Sequence, residues 1–247
     1  MPRNTAIVSP CAFFNEALNA TVVLHPRCGT RSFRARWKGA EVHISMPKAA
    51  SMAHVSEFIS HIETDIIRLR PSTPYHDGYR IDFHEGSIII RSDKSAHKFS
   101  ASTHYDQSSS QYHITISAPA STDFSDIATG VYITRIILNR IRPVARQILL
   151  DTAATIATET GCHPSAWSIS SGRRVLGSCN SYRIIRLSIY LLFLPHHLRR
   201  YIICHELAHL SEMNHSPAFH RIADKYCNGN ERSWATELKT FKWPVMR

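Results

Sequence analysis

Residues 205–209 read His-Glu-Leu-Ala-His, and a third histidine follows at His215. A helix turns by about 100° per residue, so side chains four apart end up only about 40° from each other. His205 and His209 therefore share a face, and both imidazoles can reach one point. Glu206 falls about 60° from His209 and flanks the pair, while Ile203, Leu207 and Leu210 take the opposite side of the same helix. Such a helix buries its apolar stripe and presents two imidazoles to a metal ion, with a carboxylate beside the ion rather than on it.

The residues after the pentapeptide sharpen this reading. Asn214 tolerates a left-handed helix stop, and Ser216-Pro217 supplies an N-cap and a first-turn proline for a new helix. A turn between the two helices can aim His215 at the ion as the third ligand, leaving the fourth position to water. Glu231 and Glu237, further along, compete for that role. One zinc ion held this way lowers the pKa of its water to about 7, and Glu206 can take the proton as the water attacks a polarised carbonyl. The plainer reading is a row of solvated histidines on an ordinary amphipathic helix.

Upstream, Pro195 opens this helix, and Ala166–Ser170 and Arg183–Ile189 read as strands around a Gly-Ser-Cys turn at 177–179. Further back, Arg31 to Lys38 alternates with period two, with Phe33, Ala35 and Trp37 on one face and Arg34, Arg36 and Lys38 on the other. Gly39 turns this strand into Glu41–Met46, Pro47 ends the pair, and apolar residues from Val55 to Leu69 recur at helical spacing. The same order returns in His97–Ser102, Tyr112–Ser117, Pro119 and a helix from about Phe124 to Arg142-Pro143, with Val42-His43-Ile44-Ser45 aligning on Tyr112-His113-Ile114-Thr115. This is read as a duplicated ββα unit, with a further hairpin at 79–91 between the copies. After Pro143 the helical spacing continues to Gly161, as a second helix or a kinked continuation. The expected class is α+β: residues 1–122 form a β-rich region holding one ββα unit and the strands of a second, and 123–247 a helical region that carries the histidine pentapeptide.

Composition bounds the rest. The 247 residues carry 29 Lys+Arg against 19 Asp+Glu, a formal charge of +10, concentrated in residues 1–50 and 151–200. With 43% hydrophobic residues and few Gly and Pro, the chain can bury a core, which excludes a disordered tail. No apolar run reaches the roughly 18 residues of a membrane span, and MPRNTAIVSPCAFF lacks the apolar centre of a signal peptide. A soluble cytoplasmic protein is expected, with no membrane partner and with its six irregularly spaced cysteines reduced. The basic excess favours anionic partners.

His205-Glu-Leu-Ala-His-Leu210, with Asn214-His-Ser216 and Phe219, and preceded by Gly177-Ser-Cys179 and Tyr201, resembles the YgjP-like metallopeptidase domain. More distantly it is similar to SprT-like proteases that act on DNA-bound proteins. The resemblance implies a minimal zincin core, zinc on His205, His209 and His215, and Glu206 as catalytic base. Val175-Leu176 stands where the family usually has Arg-Trp, and His220 where an aromatic commonly follows the phenylalanine.

The leading expectation is a zinc metallohydrolase, a peptidase acting on peptides or proteins. One alternative is a metal-dependent nucleotide hydrolase, against which the chain shows no phosphate-cradling Gly-rich loop. Another is a DNA-associated protein with a structural or subordinate zinc. Tyr201, one helical turn before His205, is a candidate oxyanion donor, or else a tyrosine packed at the cleft edge. Arg173 and Arg174 are candidate contacts to a substrate carboxylate or phosphate, or solvated strand charges. Cys179, Cys204 and the adjacent His196 and His197 read as ordinary packing and surface residues. Arg34, Arg36 and Lys38 are the candidate nucleic-acid contacts, with a soluble strand face as the alternative.

Overall fold

The alternation of Phe33, Ala35 and Trp37 with Arg34, Arg36 and Lys38 does form a strand, β3 (Arg34–Lys38), in the computed structural model, which describes residues 6–246. It pairs antiparallel with β4 (Glu41–Pro47), as the Gly39 turn requires. Two strands absent from the sequence-based expectation precede them, β1 (Cys11–Asn15) and β2 (Ala20–Arg27), and the sheet order is β1-β2-β4-β3 with β2 parallel to β4. Helix α1 (Met52–Arg68) follows, capped by Ser51. Its Val55, Ile59 and Ile66 bury against Val22, Leu24, Val42, Ile44 and Met46. The Trp37 indole donates to the Ile66 carbonyl at 2.7 Å, and Phe33 stacks on Phe58. One face of the sheet is thus covered by α1, and the face bearing the β3 cations is left to solvent.

The second sheet has the order β5-β6-β8-β7, made of β5 (Arg80–Phe83), β6 (Gly86–Asp93), β7 (Ser100–Asp106) and β8 (Gln111–Pro119), again with the central pair parallel and both edges antiparallel. The hairpin expected to lie between two ββα copies is therefore half of this sheet. Each of the two sheets comprises four strands followed by a helix, a larger grouping than ββα. The aligned positions occupy the same register: His43 lies opposite Val23 and Arg36, and His113 opposite Ser87 and His104.

The helix after β8 is one continuous element, α2 (Ile127–Thr160), running through Pro143. Pro143 has no N–H to give the Asn139 carbonyl, and both residues are exposed, while Ile137, Ile141, Val144 and Ala145 hold the inner face. A small sheet of order β10-β11-β9 follows, built from β9 (Ala166–Ser170), β10 (Gly177–Cys179) and β11 (Ile184–Ser188). Residues 177–179 are an edge strand paired with 185–187, not the turn expected. A buried 3₁₀ turn at Ile189–Phe193 leads into α3 (His196–Ala208), α4 (Pro217–Tyr226) and α5 (Glu231–Thr240). Among the described residues this is a mixed α+β structure with small sheets and five α-helices. The chain divides into two compact units, one of Met1–Thr73, Asp123–Val131 and Met246–Arg247, the other of Pro74–Thr122 and Tyr132–Val245. The histidine helix belongs to the second.

Candidate metal centre

Helix α3 begins at Pro195, whose extended ψ of 150° sets the entry, and buries Leu198, Ile203 and Leu207. Its first half is fixed by an unusual group, Arg199, which is 0% exposed. The guanidinium donates to both carboxylate oxygens of Glu85 and to the carbonyls of Leu191 and Leu192, so a fully buried charge is paired and hydrogen-bonded. The second half of α3 carries His205 and Glu206, and His209 is its C-cap.

Beyond His209 the chain turns without a left-handed residue. The N–H groups of Leu210, Ser211 and Glu212 donate back to the carbonyls of Leu207 and Ala208, and the positive-φ non-glycine residues among those described do not include Asn214. This corrects the expected stop at Asn214. Ser216 does cap α4, its hydroxyl accepting from the Phe219 N–H at 3.3 Å, with Pro217 in the first turn. Ser216→Ala should cost about 1 kcal/mol of unfolding free energy, read by denaturant titration.

The turn brings the three imidazoles together. One ring nitrogen from each of His205, His209 and His215 lies within 4.8 Å of the others, and the Nε2 atoms of His205 and His215 are 3.0 Å apart. Zinc–nitrogen bonds of about 2.0–2.1 Å place neighbouring tetrahedral ligands about 3.3 Å apart; the His205–His215 pair is near that spacing, and the three residues together could hold a metal ion. The His209 Nδ1 donates to the Glu212 carbonyl at 3.1 Å; a carbonyl can only accept, so the tautomer is fixed and Nε2 keeps its lone pair. His205 Nδ1 is buried without a hydrogen-bond partner among the described residues. Burial, then the neighbouring His209, His215 and His220, holds the His205 imidazole down at about 4, and burial also lowers His209. Both are therefore neutral at ordinary pH, the form that binds metals. Phe219, 0% exposed, packs against all three rings with centroids 4.5–4.8 Å away.

Glu206 is 5% exposed, and burial pushes its carboxyl up to about 7. Its side chain lies on the backbone of β10: a Cβ on Gly177 would meet Glu206 Oε1 at 2.5 Å and Cγ at 2.6 Å. Only glycine leaves room for the carboxylate here, a role for Gly177 that its place before Ser178 and Cys179 in the sequence does not reveal. Gly177→Ala should displace the Glu206 carboxylate, lowering turnover by about tenfold or more while leaving metal content unchanged. Parallel activity and metal assays check this.

The family described as YgjP-like, metallopeptidase domain, matches residues 31–241. The chain belongs to this family. It is a hydrolase of the metallopeptidase kind, which implies a metal and peptide or protein substrates. No curated protein matches the chain. Among solved structures it is similar to the metallopeptidase zymogen of Pyrococcus abyssi abylysin, 24% identical over 37% of this chain and 95% of that one, with a TM-score of 0.31. It is also similar to the metallopeptidase zymogen of Methanocaldococcus jannaschii jannalysin, 26% identical over 37% of this chain and 91% of that one, with a TM-score of 0.32. Among the described residues, no helix is long and apolar enough to cross a membrane.

The other candidates fall in various places in this YgjP-like chain. Tyr201 is buried with its ring 6.0 Å from that of His205, and burial, followed by the charges of Glu231, Cys227 and Glu206, pushes its phenol up to about 12, so it stays a donor. Glu231 accepts from His220 at 3.1 Å and Glu237 from His197 at 2.9 Å, and neither belongs to the group of three residues that could hold a metal. Arg173 lies over the rings of Tyr190 and Trp243, and Arg174 is exposed. Cys204 is buried, its thiol donating to the Tyr226 carbonyl, and burial raises the Cys179 thiol. Arg34, Arg36 and Lys38 lie in the first unit, on β3.

Proposed function

We propose that this YgjP-like chain cleaves peptide bonds with one zinc ion held by His205, His209 and His215, and with Glu206 as general base. The observation that carries the reading is the convergence of three imidazoles on one point, with a buried carboxylate on the same helix end. Bound zinc supplies Lewis acidity, polarising the scissile carbonyl and acidifying a water. Glu206, held against Gly177 and away from bulk solvent, accepts the water's proton and returns it to the departing amide nitrogen. The Tyr201 phenol, kept protonated by burial, can donate to the oxygen on which negative charge develops. The catalytic region is residues 123–247 with a minimal zincin core, and the two four-stranded sheets with their helices are read as copies of one unit.

The reading is tested by incubating the protein with an unfolded protein substrate and, separately, with nucleoside triphosphates, before and after chelation. Protein cleavage that chelator abolishes and zinc restores is expected. Cleavage indifferent to chelator, or hydrolysis of triphosphates alone, would overturn it.

A further inference from the structure

We propose that the solvent-facing side of the first sheet binds single-stranded nucleic acid, with Arg34, Arg36 and Lys38 contacting phosphates. The inference is independent of the peptidase reading and concerns the first unit by itself.

On β3 the three cations alternate with the residues that face α1, so they form a row with a spacing of about 6.6–6.8 Å along one edge of the sheet. All three are exposed, and among the described residues none forms an ion pair. Their field is felt across the sheet. His25 on β2 is held below the usual histidine value by burial first, then by His43, Arg27, Lys38 and Arg36.

The second sheet supplies an internal comparison. In the first, Arg34, Arg36 and Lys38 stand opposite Ser45, His43 and Glu41 of β4. In the second, the same register positions on β7 hold Ser102, His104 and Asp106, opposite Thr115, His113 and Gln111 of β8. A sheet of the same strand order and sense thus forms with no fixed cation in that row, so the fold does not require one. Arg34 and Arg36 face Ser45 and His43 across the pairing, not a carboxylate, so their charges are left to solvent or to an anionic partner.

Two features select the anion. The far edge strand carries Phe14, 60% exposed and paired with Thr21, which puts its ring on the same face as Arg36 through the register Val23, His43, Arg36. A row of cations on one edge and an exposed aromatic on the other is what a single strand needs, phosphates along the first and a base on the second. An acidic peptide would make no use of the aromatic, and a lone phenylalanine is too little apolar surface for a membrane.

The test is fluorescence anisotropy with a labelled oligothymidine and the corresponding duplex across a salt series. The wild type should bind the single strand at about 50 mM salt and more tightly than the duplex. The triple variant Arg34→Ser, Arg36→His, Lys38→Gln, with the serine and histidine of the second sheet and a neutral residue at the third position, should bind at least about 30-fold more weakly, and its salt slope should fall by about 2, near 0.7 for each phosphate no longer neutralised. Phe14→Ser should weaken binding about fivefold or more and leave the salt slope unchanged. Peptidase activity and thermal melting of both variants should match the wild type; if the triple variant melts early, Arg36→His alone should still lower the slope by about 0.7. No binding by the wild type at about 50 mM salt, variants that bind within twofold of it, or a duplex bound as tightly as the single strand would each overturn the proposal.

Discussion

Glu206→Gln is expected to lower peptidase turnover by about 10²–10⁴-fold while the protein keeps its zinc, its fold and its affinity for substrate. The amide has nearly the size of the carboxylate, so it fills the space beside Gly177, but it cannot accept a proton from water. It also carries no charge into a site that is 5% exposed, so the melting temperature should be unchanged or higher. Turnover, zinc content and thermal melting measured on the same preparation separate the chemical role from a structural one. A variant retaining more than a tenth of wild-type turnover would remove Glu206 from the mechanism.

The largest loss of stability is expected at the ion pair behind α3. Glu85→Ala leaves the Arg199 guanidinium at 0% exposure with two backbone carbonyls and no counter-charge, and should cost about 3–5 kcal/mol in denaturant unfolding. Substituting both partners, Arg199→Met with Glu85→Leu, should recover most of that loss, because the penalty comes from the stranded charge rather than from the missing attraction. The single variant should also release zinc more readily, since α3 carries two of the three imidazoles. A loss below about 1 kcal/mol would show that the pair does not anchor the helix.

How far the sequence was legible depended on how local the determining interactions were. The histidine helix, the Ser216 cap and the β3–β4 hairpin follow from periodicity and caps within a few residues, and all were readable. Long-range pairing was not. The parallel partners β2 with β4 and β6 with β8 are joined only through tertiary contacts, so the 79–91 hairpin gives no sign of the sheet it joins, whereas β1–β2 is a local hairpin across residues 16–19 that the reading by alternation missed. Gly177-Ser-Cys179 reads as a turn because its strand character comes from pairing with 185–187 and its glycine from the Glu206 side chain, neither of which leaves a mark in the tripeptide. Pro143 suggested an interruption, but the apolar residues on either side pack on one face and keep α2 whole.

The basic charge that gathers before the metal helix was likewise opaque in the sequence. Arg199 is engaged with Glu85, Arg200 with Glu159, and Arg183 with the carbonyls of Leu210 and His163. These arginines hold the second unit together, whereas the β3 cations of the first form no ion pair among the described residues.

Zinc content per chain, measured by elemental analysis of the wild type beside His215→Ala and Glu237→Ala, tests the central claim most directly. The three-histidine centre predicts one zinc in the wild type and in Glu237→Ala, and less than about a tenth of that in His215→Ala after dialysis against a weak chelator. Full zinc retention by His215→Ala, or loss from Glu237→Ala with His215 intact, would contradict it.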